Sequence, residues 1–214
     1  MNTQTSKKRL LAFWKANKTV TDKNVMKAFL KVPRHKFLDK KYHYEAYADY
    51  PLPTRADQTI SQPSTVMRMT EELQVMPGMN VLEVGTGSGY QAALLSVLVG
   101  KNGRVTSVEI QKELVAYASK NLATYKNVSV FLIRANTIGY KTNALYDRII
   151  VTAAMPRLPD QLIDQLKVNG ILVAPVGKVN VQELLVVTKV STKKLQIKKL
   201  GLYQFVPLHG KYGF

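Results

Sequence analysis

The stretch VLEVGTGSGY, Val81 to Tyr90, decides the fold of this chain. Apolar residues around Glu83 have the pattern of a strand, and Gly85, Gly87 and Gly89 follow at once. Because glycine has no Cβ atom, the backbone can turn tightly at these positions and a ligand can lie against it. We therefore predict a ligand-binding loop where the first strand of a sheet passes into its first helix.

Apolar runs alternate with helical patterns around this loop, as a parallel sheet with crossover helices requires. The predicted core strands are NVLEVG, RVTSVEI, VSVFLIRA, YDRIIVTAA and GILVAPVG, and the predicted helices are GYQAALLSVLVG, KELVAYASKNLATY and PDQLIDQL. The last part, ELLVVTKVSTKKLQIKKLGLYQFVPL, alternates like an antiparallel strand pair. We expect a doubly wound, Rossmann-like α/β sheet, mostly parallel with this antiparallel pair and an N-terminal helical extension, which binds its ligand at the carboxyl ends of the strands.

We predict a single domain over residues 1–214, in three parts. Residues 1–79 hold helices, one of them with Thr21 as its N-cap, and an irregular segment from Lys36 to Pro63. Residues 80–178 form the ligand-binding core and residues 179–214 the antiparallel strands. A long irregular segment is either disordered or functional, and we favour a functional lid. The other interpretation of its end is a polar loop in which Ser64 caps the next helix.

The charge of the chain is strongly positive, with 31 Lys and Arg against 14 Asp and Glu and a net charge of +17. The basic residues are spread along the chain, so a solvated surface fits as well as a site for nucleic acid or acidic substrates. There is no cysteine and there are three histidines, which excludes disulfides and a cysteine nucleophile, and we predict no metal site. No run is long enough to span a bilayer and no signal peptide is recognisable, so we expect a cytoplasmic protein without membrane contact.

The glycine spacing is G-x-G-x-G, one residue shorter than the dinucleotide fingerprint. Preceded by an acid, it resembles the cofactor loop of S-adenosylmethionine (SAM)-dependent methyltransferases. SAM carries an ammonium and a sulfonium group and no phosphate, so the nearby Glu83 makes physical sense. Glu109 ends the next strand, where such folds use a carboxylate to accept ribose hydroxyls, although NAD binding would use the same acid. A structural turn and a solvated glutamate are the alternatives without a ligand.

A closer resemblance, to the protein-L-isoaspartate (D-aspartate) O-methyltransferase family, runs from Val32 to the C-terminus. The matching pieces, in family order, are VPRHKF, AYADYPLP, QTISQP, PGMNVLEVGTGSGYQAALLS, YDRIIVTAA, LIDQLKVNGILVAPVG, QELL and FVPLHGKYGF. The resemblance implies a repair enzyme that transfers a methyl group from SAM to the α-carboxylate of an L-isoaspartyl residue, or the side-chain carboxylate of D-aspartyl, in a damaged protein. The ester then cyclises to a succinimide, which reopens partly as normal aspartate.

The resemblance also implies roles for particular residues. Ser61, at the end of QTIS, would lie beside the methyl group and the substrate carboxylate with Thr59 nearby, and both would orient the carboxylate without acting as nucleophiles. The residues assigned to the cofactor are Glu83, Gly85, Thr86, Gly87, Ser88, Gly89, Glu109, Ile110, Ala135 and Asn136. The residues assigned to the substrate are Thr152, Ala153, Val206 and Leu208. On physical grounds alone, Thr152 could equally satisfy its own backbone at a strand end, and FVPL is a packed C-terminal strand.

Two positions depart from the family pattern. Ala135 stands where the family usually has an aspartate that accepts the adenine amine, and Asn136 or a backbone carbonyl could take over that contact. Asp57 stands where glycine is common. Two other functions therefore stay open: an RNA methyltransferase, suggested by the charge, and a basic non-catalytic homologue with weakened cofactor binding, suggested by Ala135. TAAMPR after the fourth strand differs from the Asn/Asp-Pro-Pro-Tyr/Phe loop of base-modifying amino methyltransferases, so nucleic acid is not the favoured partner.

Overall fold

The N-terminal extension is helical and packs onto the core. The computed structural model describes residues 3–214, and in this part of the chain α1 (Thr3–Asn17), α2 (Lys23–Lys31) and α3 (Pro63–Glu72) precede the sheet. Trp14 is fully buried, and its ring meets the ring of Phe29 edge to face with 4.6 Å between centroids. This aromatic contact joins α1 to α2, since each ring buries a large apolar area.

Helix α2 begins one residue later than predicted. Its N-cap is Asp22, whose carboxylate accepts hydrogen bonds from the backbone N–H groups of Asn24 at 2.6 Å and Val25 at 2.9 Å. The predicted cap, Thr21, is wrong, because its backbone N–H and hydroxyl both donate to Glu71. A carboxylate at the N-cap is also stabilised by the positive end of the helix dipole.

Ser64 is likewise not the cap of α3. The helix starts at Pro63 with Gln62 as its N-cap, so Ser64 already lies inside the first turn. Its hydroxyl donates to Asp49 at 2.6 Å and accepts the indole N–H of Trp14 at 2.6 Å. The serine therefore ties the first helix to the irregular segment that precedes α3.

The irregular segment has local structure of its own. It contains two 3₁₀ helices, Arg34–Phe37 and Lys40–Glu45, and then a short antiparallel pair, β1 (Leu52–Pro53) and β2 (Thr59–Ile60). A sequence without helical or strand periodicity can still fold when its backbone groups are paired in short turns of this kind. The turn between β1 and β2 places Ala56 and Asp57 at φ 54° and 55°. A left-handed turn at Asp57 explains why glycine would also fit there.

The core is one seven-stranded sheet in the order β5-β4-β3-β6-β7-β8-β9. The parallel strands are β3 (Asn80–Val84), β4 (Arg104–Glu109), β5 (Val128–Leu132), β6 (Tyr146–Val151) and β7 (Leu166–Lys178). β8 (Val181–Lys189) pairs antiparallel with both β7 and β9 (Leu195–Tyr203). The predicted mostly parallel sheet with an antiparallel C-terminal pair is confirmed. From β3, the chain adds β4 and β5 on one side and then returns to add β6 and β7 on the other. This reversal of strand order beside β3 makes the carboxyl end of β3 the expected ligand position.

Helices cover both faces of the sheet and bury β3 from Val81 to Val84. They are α4 (Tyr90–Val99), α5 (Lys112–Asn121) and α6 (Asp160–Asp164) together with the N-terminal helices. Val81 packs with α1 to α4 on one face, whereas Leu82 and Val84 pack on the other. A strand that is buried on both faces reads as a nearly continuous apolar run, which is the pattern seen before the glycines. Across residues 3–214, no helix has the length and apolar character that crossing a membrane would need.

The C-terminal tail leaves the sheet after β9. FVPL is not part of a strand, so its prediction as a packed terminal strand is wrong. The backbone N–H of Phe205 donates to the side chain of Gln182 at 2.9 Å, and Ala154 exchanges hydrogen bonds with Val206 and Leu208 at 2.8 and 2.7 Å. The tail is thereby drawn back across the end of β6, toward the glycine loop.

Candidate active site

The glycine loop joins β3 to α4 and needs glycine for two different reasons. Gly85, Gly87 and Gly89 all have positive φ values, 96°, 52° and 88°. A Cβ atom on Gly85 would lie 2.5 Å from Oγ1 of Thr152, which is too close for any real contact. A Cβ on Gly87 would meet nothing within 4 Å, so this part of the loop borders open space. The loop is therefore packed against β6 at Gly85 and open to a ligand at Gly87.

Glu109 ends β4 and holds the loop from the side. Its carboxylate accepts the backbone N–H groups of Ile110 at 2.8 Å, Gln111 at 3.2 Å and Gly87 at 3.2 Å. The side chain is 8% exposed and lines the cleft described below. Three N–H donors stabilise the ionised carboxylate, whose remaining lone pairs can accept hydroxyl groups of a ligand.

Glu83 is fully buried beneath the same loop. One carboxylate oxygen accepts the hydroxyl of Ser107 at 2.5 Å, and Ser107 is also hydrogen-bonded to Thr86 at 2.6 Å. The pKa of Glu83 is raised to about 8, mainly because burial disfavours the charged form; the hydrogen bond from Ser107 opposes this rise, and the nearby charge of Glu109 adds to it. A cation bound in the cleft would favour the ionised form of this carboxyl group.

Glu83, Glu109 and the glycine loop all line one cleft. The predicted site residues that line it are Thr59, Ser61, Glu83, Gly85, Thr86, Gly87, Ser88, Glu109, Ile110, Thr152, Ala153, Val206 and Leu208. The structure thus brings the residues assigned to cofactor, catalysis and substrate to a single site at the carboxyl ends of the strands.

Gly89, Ala135 and Asn136 do not line the cleft. Gly89 is the N-cap of α4, and a Cβ there would lie 2.9 Å from the side chain of Leu122, so its role is close packing against α5. Ala135 and Asn136 are exposed, and the carbonyl of Ala135 accepts the backbone N–H of Lys211 at 2.8 Å. The geometry gives no support for direct cofactor contact by these three residues.

Thr59 and Ser61 bring two hydroxyl-bearing side chains to the cleft. Both residues belong to the β2 hairpin and its exit, and neither hydroxyl has a hydrogen-bond partner among residues 3–214. They can therefore donate to a bound carboxylate without breaking an existing hydrogen bond. Both residues line the same cleft as the glycine loop.

A buried arginine supports this hairpin from behind, and the sequence did not single it out. The Arg34 side chain is fully buried, donates to the carbonyls of Ala46 at 2.8 Å and Ile60 at 3.5 Å, and lies 5.1 Å from the ring centroid of Tyr90. Burial lowers its pKa to about 10, so it stays charged at neutral pH. It joins the residue before Ser61 to the first residue of α4 and so fixes the hairpin to the glycine loop.

The hydroxyl of Thr152 does not satisfy its own backbone, as one interpretation of the sequence had it, but bonds to the backbone of the glycine loop. Its hydroxyl donates to the carbonyl of Gly85 at 2.6 Å, and its backbone N–H donates to Val84 at 3.0 Å. The hydroxyl proton is therefore already engaged in a hydrogen bond, and the hydroxyl oxygen can only accept a hydrogen bond from a ligand. Ala153 follows it into the cleft, and the tail residues Val206 and Leu208 lie beside it through their hydrogen bonds with Ala154.

Several lining residues were missed by sequence reasoning. They include Gln58, Tyr90, Leu114, Ile133, Thr137, Ile138, Phe205, His209 and Tyr212. Ile133, Thr137 and Ile138 follow β5, and the rule that ligands lie at the carboxyl ends of parallel strands could have found them. The residues of the C-terminal tail carry no periodic signal, because their position depends on hydrogen bonds to Ala154, just after β6, and to Gln182 of β8.

The lining combines three chemically distinct kinds of group. It holds the carboxylates of Glu83 and Glu109, apolar side chains that include Ile110, Ile133 and Ile138, and the free hydroxyls of Thr59 and Ser61. Such a cleft suits a ligand with a cationic end, a ribose and an apolar ring, next to an anionic second ligand.

Comparison with known proteins agrees with this geometry. The family model for protein-L-isoaspartate (D-aspartate) O-methyltransferase (PCMT) matches residues 5–213. A protein-L-isoaspartate O-methyltransferase from Methanosarcina mazei is 48% identical over 91% of this chain and 80% of its own length. The protein of that name from Pyrococcus horikoshii is 45% identical over 97% of this chain and 94% of its own length.

A solved structure agrees over almost the whole fold. The crystal structure from Plasmodium falciparum that is described as a protein-L-isoaspartate O-methyltransferase in complex with S-adenosyl-L-homocysteine has a TM-score of 0.84. Its sequence is 26% identical, and the match covers 95% of this chain and 98% of that one. The resemblance inferred from the sequence motifs is confirmed, and the chain belongs to the protein-L-isoaspartate (D-aspartate) O-methyltransferase family.

Proposed function

We propose that this protein transfers a methyl group from SAM to the α-carboxylate of L-isoaspartyl residues in damaged proteins and peptides, which starts their repair through a succinimide. The observation that carries the proposal is the shared cleft: the free hydroxyls of Ser61 and Thr59 face the same space as the glycine loop and Glu109. Family membership supports the same activity. We also propose a cytoplasmic location, which the absence of cysteine fits.

The residues of the loop fit SAM as the cofactor. Gly87 leaves open space for a ligand against the backbone, Glu109 can accept ribose hydroxyls, and Glu83 can compensate a positive charge. Thr86, Ser88 and Ile110 complete the proposed binding surface. When bound, SAM would supply an electrophilic methyl group bonded to its positively charged sulfonium sulfur.

The roles of Ser61 and Thr59 follow from the substrate's own chemistry. An α-carboxyl group is ionised at neutral pH, so no general base has to remove a proton before its oxygen can attack. The two hydroxyls would donate hydrogen bonds to the carboxylate and hold it in line for transfer. The apolar walls exclude water, and in such a site the neutralisation of opposite charges lowers the barrier.

Replacing Ser61 by alanine tests this role. We expect kcat/KM for an isoaspartyl peptide to fall about 10- to 100-fold, the effect of removing one hydrogen bond to a charged group. SAM affinity by calorimetry should stay unchanged, because Ser61 is assigned to the substrate. Thr124→Ala, which removes an exposed hydroxyl outside the cleft, is the control. Equal kinetics of Ser61→Ala and Thr124→Ala would contradict the assigned role.

The two alternatives make different predictions. An RNA methyltransferase would label RNA and leave peptides unlabelled, and family membership does not favour it. A non-catalytic homologue would bind SAM weakly or not at all and would transfer no methyl group, and calorimetry at millimolar cofactor tests the binding directly. Ala135 does not line the cleft, so we expect measurable SAM binding without an acidic side chain at that position.

A further inference from the structure

A second groove adjoins the active-site cleft. Leu158 and Pro159 form part of it, Arg157 and Lys211 are exposed along it, and Tyr212 lines both this groove and the cleft. We infer that the groove binds acidic residues that flank the isoaspartate in a peptide substrate, an inference that rests on the proposed function.

The connection between groove and cleft comes from the fold. Ala153 lines the cleft, and Ala154 is hydrogen-bonded to Val206 and Leu208 of the tail. The chain then continues directly from Ala154 to Arg157, while the tail continues from Leu208 to Lys211 and Tyr212. Both walls of the groove are therefore extensions of the segments that border the substrate end of the cleft.

The charge of the groove favours an anionic occupant. Arg157 and Lys211 have no carboxylate within 4 Å among residues 3–214, and Asp160 is the acid that lines the groove. The ammonium group of Lys211 lies 5.7 Å from the ring centroid of Tyr212, so one cation stands where the groove meets the cleft. The backbone hydrogen bond from Lys211 to Ala135 brings the exposed Arg134 into the same neighbourhood.

A peptide is the occupant that the geometry requires. A substrate whose reacting residue lies in the cleft must continue over the surface on both sides, at about 3.3 Å per residue in extended form. Half-buried Leu158 and Tyr212 offer apolar backing for the chain. Arg157 and Lys211 can then form ion pairs with Asp or Glu side chains next to the isoaspartate. Charges at the rim of a binding site contribute to specificity in this way.

The experiment compares kcat/KM for isoaspartyl peptides with acidic, neutral or basic residues on either side of the isoaspartate. We expect acidic flanks on one side to be preferred over neutral ones by about fivefold at low salt, as two exposed ion pairs would give. The double variant Arg157→Ala/Lys211→Ala should lose this preference and keep its activity on the neutral peptide. Lys101→Ala/Arg104→Ala removes the same charge at the amino end of β4, whereas the cleft lies at the carboxyl ends of the strands, and should keep the preference.

Each other outcome overturns the inference. The groove has no such role if wild type treats all flanks alike, if the preference survives in the groove variant, or if that variant loses activity equally on all peptides. The groove would be a nucleic-acid site instead if tRNA inhibits peptide methylation by the wild type and the control variant but not by the groove variant, and if the flanking residues do not change kcat/KM. Absence of methylation of every isoaspartyl peptide would instead refute the proposed function itself. Unfolding curves of all three proteins check that each is folded.

Discussion

Replacing Gly85 by alanine is expected to destabilise the protein by about 2–5 kcal/mol, through two separate effects. An L-residue at φ 96° costs about 1–2 kcal/mol. The new methyl group would also lie 2.5 Å from Oγ1 of Thr152, and overpacking of this kind costs about 1–3 kcal/mol. If Thr152 moves to avoid the clash, its hydrogen bond to the Gly85 carbonyl is lost instead.

Urea unfolding of four variants separates these effects. Gly87→Ala is the matched control, because φ is 52° there and no atom lies within 4 Å of the new Cβ, so only about 1 kcal/mol should be lost. Thr152→Ala removes the clashing atom and leaves the nearest remaining one at 3.8 Å. We therefore expect Gly85→Ala and Thr152→Ala to couple, with the double variant about 1–2 kcal/mol more stable than the sum of the single losses. The reasoning is refuted if Gly85→Ala costs no more than Gly87→Ala, or if the two losses simply add.

Three further predictions concern acids and turns. The pKa of Glu83 is raised to about 8, so between about pH 4.5 and pH 8 the carboxyl group is protonated in the folded protein and ionised in the unfolded one. Its contribution to stability is therefore full below about pH 4.5 and falls by up to about 5 kcal/mol as the pH rises above 8. Urea unfolding at pH 5 and 8.5 should show this fall in wild type and a smaller one in Glu83→Gln, and equal falls would contradict it. Glu109→Gln should weaken SAM binding by about 1.5–3 kcal/mol in calorimetry, since a charged acceptor is lost, and unchanged affinity would remove Glu109 from the cofactor site. Ala56→Gly should raise the free energy of unfolding by about 0.5–1 kcal/mol, because Ala56 has a φ of 54° and glycine relieves that strain. Ala123 is exposed and is not among the residues with positive φ, so Ala123→Gly should lower the free energy of unfolding. A loss of stability in both variants would count against strain at Ala56.

The sequence predicts best those features for which the local residue pattern and the tertiary packing favour the same structure. The apolar run before Gly85 predicts the first strand of the parallel sheet, and β3 is that strand, buried from Val81 to Val84. Alternation of strands and helices then places Glu109 at the end of the neighbouring strand. Because parallel strands bring their carboxyl ends to one edge, the order of elements along the chain is enough to assign Glu83, Gly87 and Glu109 to one site.

Prediction failed where the outcome depends on distant partners. Thr21 has the chemistry of an N-cap, but Glu71 of α3 takes its hydroxyl and the cap falls to Asp22. Arg34 was missed because its partners, Ala46 and Ile60, come from a segment without periodicity. The pattern of the tail wrongly predicts a strand, because its course is set by hydrogen bonds to Ala154, about 50 residues earlier, and only the family resemblance assigned Val206 and Leu208 to the site.

The measurement that tests the central claim most directly is the transfer of labelled methyl from SAM to a matched peptide pair, one with L-isoaspartate and one with ordinary aspartate. Bulk tRNA and rRNA serve as competing acceptors, and a D-aspartyl peptide measures the second substrate class. The account predicts base-labile label on the isoaspartyl peptide and none on the aspartyl peptide or on RNA. Label on RNA alone, or no label on any acceptor under conditions where SAM is bound, would contradict it.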